Sequence, residues 1–357
     1  MGEPPEILDG MTAAVQARVS GRTTPGLQLI VQNQSGVVYE YDTGFAELAS
    51  SRPMQPDTTM MAYSMSKTIT AAAVLQLVDA GVIQLDDPIN RYVPWQPYGD
   101  SILVRHLLSH TSGIPNPIPL RWVHPVAIDA DFDDHAALVT VLVHHPRLRF
   151  HPGSRFAYSN IGYWLLGEII ATVSDGSFTS YVDEHVLRPL GIVPAEVGFS
   201  IVDPSRHAAG YLEKYSLMNV FKRVLIDAEY IGAYSGRWLR IRDHFVNGRA
   251  FGGLVGTARG FGKFLQDQLQ DHSRLFSDTG RALFYEQQRT TRGPIAMTLG
   301  WHIGSPRGEP FFYKEGGGGG FHCMMRLYPR RKIGMVVMAN ATAFDVSGLL
   351  DACASSR

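Results

Sequence analysis

The sequence predicts an α/β fold: an antiparallel sheet assembled from both ends of the chain, flanked by helices and interrupted by a mainly helical domain. Three observations predict it. β-Prone runs lie near the N-terminus and again near the C-terminus, and helix-like runs fill the middle. Strands at both ends bury their apolar faces only by sharing one sheet. A chain of 357 residues with 45% hydrophobic content is long enough to bury a core of that kind. The sheet domain is placed at residues 1–62 and 232–357, the helical domain at 63–231.

Taken in order, Leu27–Val31 and Val37–Tyr41 are β-prone runs flanking Asn33-Gln34-Ser35-Gly36, a hairpin signal. Thr68–Ala80 is rich in Ala, Val and Leu and stops at Gly81, which predicts a buried helix with a glycine C-terminus. Ala136–His144, Ile161–Val173 and Phe178–Leu187 follow as helices, separated by loops containing Pro and His. Residues 203–250 carry the weakest pattern. Within them Arg237–Asn247 fits helix or loop, and the segment is expected to shape a substrate pocket. Phe311–Lys314, His322–Tyr328 and Ile333–Ala339 predict three antiparallel strands, and Phe344–Cys353 a closing helix. No internal repeat is present.

Composition excludes several function classes. A net charge of −1 and the lack of a basic tract argue against a nucleic-acid binder. No apolar run reaches the length of a membrane span. Cys323 and Cys353 fit no metal spacing and are too few for a disulfide framework, so free buried thiols are expected ahead of a single bridge. His106 and His110 stand four apart but have no acidic partner motif, so a structural role is expected, and His144-His145 read as surface residues. The five glycines 316–320 are not followed by Lys-Ser/Thr, so they are no phosphate loop; they predict close backbone approach and a tight turn. No G-x-S-x-G occurs. Met1–Glu6 has neither a basic nor an apolar leader region, so a cytoplasmic location is expected, or a periplasmic or secreted one if a leader has been removed.

The chemistry-bearing feature is Ser64-Met65-Ser66-Lys67 at the start of the first helix. Positions i and i+3 share a helix face, so hydroxyl and amine come within hydrogen-bonding reach. Alone, such a pair also fits a helix start with a solvated lysine. Two further elements stand in order behind it: Tyr158-Ser159-Asn160, and Lys314-Glu315-Gly316 closing the strand that begins Phe311-Phe312-Tyr313. Tyr158 and Asn160 also fit a turn with Asn160 as helix N-cap, and Lys314 also fits a surface strand residue paired with Glu315. Only six lysines occur in the chain, and Lys67 and Lys314 are two of them.

Together the three elements resemble the S-x-x-K, Y-x-N and K-x-G signature of the serine β-lactamase and penicillin-binding-protein superfamily. The Y-x-N form resembles the branch holding class C β-lactamases, D-alanyl-D-alanine peptidases and related esterases. Leu107–Gly113 (LLSHTSG), His151-Pro152-Gly153 and Gly252-Gly253-Leu254 resemble the same family. The resemblance implies a β-lactamase/transpeptidase-like fold and an acyl-enzyme on Ser64, with Lys67 or Tyr158 as its base. It implies that Asn160 holds Lys67, that Lys314 and Gly316 support the site, and that the N–H groups of Ser64 and Gly317 form the oxyanion hole. It implies a small-molecule ester or amide substrate and no metal or organic cofactor. One departure bears on substrate. Glu315 replaces the usual Thr, and a carboxylate in the groove would repel an anionic substrate or neutralise Lys314. With Trp95, Trp122, Tyr234, Trp238 and Trp301 as candidate cleft aromatics, a carboxylesterase on small to medium acyl esters is expected ahead of a β-lactamase, a carboxypeptidase or D-aminopeptidase, or a non-hydrolytic binder.

Overall fold

Asn33 opens the first hairpin: its Oδ1 accepts the Ser35 N–H at 2.8 Å, and Gly36 takes φ +135°. Only glycine adopts that backbone readily. The flanking residues run as β1 (Gly26–Asn33) and β2 (Gly36–Glu47), paired from Asn33↔Gly36 outward. In the computed structural model, which describes residues 5–19, 23–118, 122–216, 219, 227–305 and 309–355, this hairpin lies within a seven-stranded sheet. The remaining strands are β3 (Arg52–Pro53), β4 (His302–Gly304), β5 (Phe311–Gly317), β6 (His322–Tyr328) and β7 (Ile333–Ala339). Their order is β4-β5-β6-β7-β1-β2-β3, antiparallel throughout. The two ends of the chain meet at β1 and β7, where Leu27 faces Ala339 and Gln32 faces Gly334.

Alternation along each strand sorts side chains onto two faces. Leu27, Leu29, Val31, Met324, Met335 and Val337 pack outward with Met11 and Val15 of helix α1 (Pro5–Val19) and with Leu349 and Leu350 of the C-terminal helix Val346–Ser355. Ile30, Met325, Val336 and Met338 face inward, onto the larger core. That core is built on α2 (Ser66–Asp79), α3 (Asp134–His144), α4 (Asn160–Val173), α5 (Ala258–Leu269) and α6 (Asp278–Tyr285); the C-terminal helix is α7.

α2 is the central element. Its residues from Ser66 to Leu75 are all buried, and its hydroxyls are satisfied across the interfaces: Thr68 donates to Gly300 O and Thr70 to Ala250 O. It ends, as the sequence predicts, at a left-handed Gly81 with φ +73°.

Several elements differ from the sequence reading. Arg237–Asn247 is neither helix nor loop but two short strands. Trp238–Ile241 sits between Gly210–Glu213 and Ile231–Ser235, and His244–Val246 pairs with Val123–Pro125. Their partners are distant in sequence, and alternating arginines blur the apolar pattern. Phe178–Leu187 is helical over its whole predicted length, but it is α only to Val182 and widens to a π turn over Asp183–Leu187. α1, α5 and α6 were not anticipated. In α5 the spacing of Phe261, Phe264 and Leu265 carries a helical signal, hidden by Gly260 and Gly262. Those glycines let α5 sit close: a Cβ at Gly262 would lie 2.3 Å from Ile30 Cδ1. Part of the 203–250 segment lies outside the described residues.

Candidate active site

The turn that carries Ser64 is built before the helix starts. Ala62 N–H donates to Leu254 O at 2.9 Å, and Tyr63 takes φ +44°, a strained backbone for a bulky residue. Ser64 therefore sits in a single 3₁₀ turn, Tyr63–Met65, that leads into α2. Ser66 Oγ accepts Leu254 N–H at 3.0 Å and pins the first turn of α2. Lys67, one turn on, points back so that its Nζ lies 2.9 Å from Ser64 Oγ. The same nitrogen donates to Phe251 O at 2.7 Å, a carbonyl presented by the short helix Arg249–Gly252.

Tyr158 approaches from the loop before α4, its hydroxyl 2.8 Å from Ser64 Oγ. Lys314 closes the far side from β5, its Nζ 5.4 Å from the centre of the Tyr158 ring, while Lys67 Nζ lies 5.0 Å from it. β4 covers β5 only over Phe311–Tyr313, so the edge of β5 from Lys314 onward is open toward the serine turn. The glycine run makes the approach. A Cβ on Gly316 would lie 2.1 Å from Ala62 O, and one on Gly318 would lie 2.5 Å from the Tyr63 ring. Tyr63 in turn donates its hydroxyl to Gly319 O at 2.8 Å, beside His244 Nε2 at 3.2 Å. Gly320, at φ +94°, turns the chain against Gly210.

Electrostatics follow from burying two amines together. Both lysines are 0% exposed. Burial, and then the charge of Lys314, holds Lys67 well below the ordinary lysine range, and burial brings Lys314 down to about 7. Burial also raises Tyr158 above an ordinary phenol, against the smaller lowering effect of the Ser64 hydrogen bond. The resulting triad holds an amine disposed to be neutral, a phenol disposed to keep its proton, and a serine hydroxyl between them. Lys67 Nζ donates to both Ser64 Oγ and Phe251 O, and the Tyr158 hydroxyl and Ser64 Oγ share one hydrogen bond, so a continuous hydrogen-bond network joins the three side chains.

Ser64, Lys67, Tyr158 and Lys314 thus converge. Asn160 does not act as anticipated. The N-cap of α4 is Ser159, whose Oγ accepts Gly162 N–H; Asn160 is the first helical residue, and its Oδ1 makes no hydrogen bond to the described residues. The carbonyl that holds Lys67 belongs to Phe251, a backbone group without a sequence signature. Glu315 is the second correction. On a strand, neighbours face opposite ways, and Met325, opposite Lys314, lies in the inner core while Met324, opposite Glu315, lies in the outer one. Glu315 therefore turns from the groove and binds His322 Nε2 at 2.6 Å, an interaction that lowers its pKa. Gly316 lies against the serine turn, and Gly317 follows it on the open edge.

Among the aromatics, Trp301 and Trp238 are core residues, while Trp95 and Tyr234 are partly exposed. Trp122 stacks edge-on against Phe251 and Trp164. His106 accepts Leu103 N–H at its Nδ1. Both cysteines are buried and neither is in a disulfide; Cys323 Sγ lies 3.1 Å from Ala62 O. The sequence reading missed His302, stacked on Tyr158, and the contact of His110 with the same ring; the LSHTSG segment was the available signal for His110.

An antiparallel sheet meeting a helical layer across a buried Ser–Lys pair defines a class: the β-lactamase/transpeptidase-like serine hydrolases. The chain belongs to the Beta-lactamase family, whose profile matches residues 11–352. It is 25% identical over 317 residues to penicillin-binding protein 4* of Bacillus subtilis, covering 85% of this chain and 65% of that protein. It is 25% identical over 339 residues to the D-alanyl-D-alanine-carboxypeptidase/endopeptidase AmpH of Escherichia coli K12, covering 89% and 80%. The chain thus spans just under two thirds of the first of these relatives. D-amino acid amidase from Ochrobactrum anthropi, solved with L-phenylalanine amide, shares the fold with a TM-score of 0.82 at 20% identity, covering 98% of both chains.

Proposed function

We propose that the protein hydrolyses acyl amides through an acyl-enzyme on Ser64, with small amino-acid amides or peptides as substrates ahead of neutral esters. The observation that carries the reading is the fully buried Lys67, 2.9 Å from Ser64 Oγ and beside a second buried amine. Serine becomes a competent nucleophile when such a base takes its proton. In this reading Ser64 Oγ attacks the substrate carbonyl carbon and its proton passes to Lys67. The tetrahedral oxyanion forms between the N–H groups of Ser64 and Gly317. Its collapse breaks the bond to the leaving nitrogen, which takes a proton from the Tyr158 hydroxyl, and Lys67 restores that proton. Water then repeats the sequence in reverse on the ester of Ser64. The raised pKa of Tyr158 and the lowered one of Lys67 favour the amine as the base.

The preference for amides rests on Glu315 and on the relatives. The ester reading depended on a carboxylate in the groove, and Glu315 is hydrogen-bonded to His322 on the other face. A groove with two buried amines suits a substrate bearing carboxylate or carbonyl oxygens. The names of AmpH and D-amino acid amidase support amide bonds next to D-residues as the first to try. Wild type and Ser64→Ala are compared on a D-alanyl-D-alanine peptide, D-amino acid amides, p-nitrophenyl esters and a chromogenic cephalosporin. Ser64-dependent cleavage of the amides ahead of the esters is expected. Ester cleavage alone returns the esterase reading, and turnover surviving in Ser64→Ala rejects the nucleophile.

A further inference from the structure

His110 meets the Tyr158 segment in three ways. Its carbonyl accepts Ala157 N–H at 2.8 Å, and its Nδ1 accepts Ser159 N–H at 3.2 Å. Its ring lies against that of Tyr158, with centroids 4.4 Å apart. The residues on either side of Tyr158, Ala157 and Ser159, therefore both donate a backbone N–H to His110.

That residue is built for the task at some cost in backbone strain. It is 1% exposed and has φ +57°, in the left-handed region that a non-glycine residue adopts only where its surroundings hold it. Because Nδ1 accepts a hydrogen bond, the ring proton resides on Nε2; an imidazolium has no acceptor and would release Ser159. Burial, and then the nearness of Lys314, His302 and Lys67, holds the His110 pKa well below the ordinary imidazole range. The His302 ring also stacks on Tyr158, within 17° of parallel at 6.5 Å. The phenol is thus held by two rings and by its own backbone.

We propose that His110 is a positioning residue whose neutral imidazole and left-handed backbone set the Tyr158 hydroxyl against Ser64 Oγ, so that it acts on the chemical step and not on substrate binding. The proposal rests on the reading of Tyr158 as the proton donor to the leaving group. It places the LSHTSG segment in the mechanism without a metal or a direct contact with substrate.

Three variants separate its parts. His110→Gly frees the backbone strain and removes the acceptor. His110→Ala removes the acceptor and keeps the strain. His110→Asn keeps an acceptor near the Nδ1 position and tolerates the left-handed backbone. Each is made in the wild-type and Tyr158→Phe backgrounds and assayed for kcat, KM and melting temperature. The Gly and Ala variants are expected to lose about 100-fold in kcat, the scale of an acid–base contribution, with KM nearly unchanged. The Asn variant is expected to recover to within about 10-fold of wild type on the same scale. In the Tyr158→Phe background the Gly variant should add little further loss, because both changes remove one function. Unchanged kcat in His110→Gly, or the same loss in both backgrounds, overturns the proposal. Where melting temperatures show that Gly or Ala variants unfold, His110→Asn decides: near-wild-type kcat supports it and a loss equal to that of Tyr158→Phe overturns it. Full activity of Tyr158→Phe alone rejects the proton-donor reading, and is seen before any His110 variant is interpreted.

Discussion

At the scale of single residues, the site depends on what one amine does to another. Lys314 Nζ makes no hydrogen bond to the described residues, yet its charge, after burial, helps hold the Lys67 pKa down. A second cation disfavours the ammonium form of Lys67, so removing it raises the Lys67 pKa. If Lys67 must be neutral to take the Ser64 proton, Lys314→Met moves the rising limb of kcat/KM toward alkaline pH. It also removes any fall that wild type shows as Lys314 itself discharges near pH 7. A pH–rate profile from about pH 5 to pH 10 reads both limbs; an unmoved rising limb means that Lys67 is not the group titrating there. At this scale the sequence was legible wherever side chains act in fixed helical spacing, as with Ser64 and Lys67. It was not legible where a backbone carbonyl does the holding, as at Phe251. The direction of Glu315 was there to be read, because Lys314 and Glu315 are neighbours on a strand and cannot both face the groove.

At the scale of elements, the glycine run is the part of β5 that lets sheet and helix touch. Gly316→Ala would put a methyl group 2.1 Å from Ala62 O and 3.0 Å from Met65 N. Both contacts are backbone, so neither side can yield by a rotamer change. The expected result is a stability loss of about 1–3 kcal/mol, with turnover reduced far more than that loss of folded protein explains; thermal melts beside kcat measurements check it. Gly317→Ala is the comparison, since the nearest atom to its Cβ is a His322 ring carbon at 3.3 Å. Long elements such as α2, α4, β6 and β7 were visible in the sequence because their apolar runs are continuous. The short strands at residues 231–246 were not, since strands of three to five residues owe their form to partners far along the chain. α5 was obscured by the glycines that allow it to pack.

At the scale of the whole molecule, the two ends of the chain are tied by one buried amide. Asn340 Oδ1 accepts Gly26 N–H at 2.7 Å, and its Nδ2 donates to Phe45 O at 3.0 Å and Ala209 O at 3.1 Å. The side chain is 0% exposed, so truncation leaves those groups without water to replace it. Asn340→Ala is expected to cost about 3 kcal/mol, measured by denaturant unfolding, with kcat per folded molecule unchanged. A loss under about 1 kcal/mol would mean that water enters and takes over the bonds. The union of the two ends was legible as an expectation from apolar strands at both termini; the residue that locks them was not, because one Asn at a strand end looks like any turn. The pairing of β1 with β7 also has a consequence in time. The ribosome releases β1 and β2 long before β7, and at about 5–20 residues per second the interval is on the order of tens of seconds. Throughout it the nascent hairpin offers the edge of Leu27–Val31 with no native neighbour, a template for another growing chain. That edge is therefore an aggregation hazard for as long as synthesis leaves it uncovered, and slowing translation lengthens the exposure.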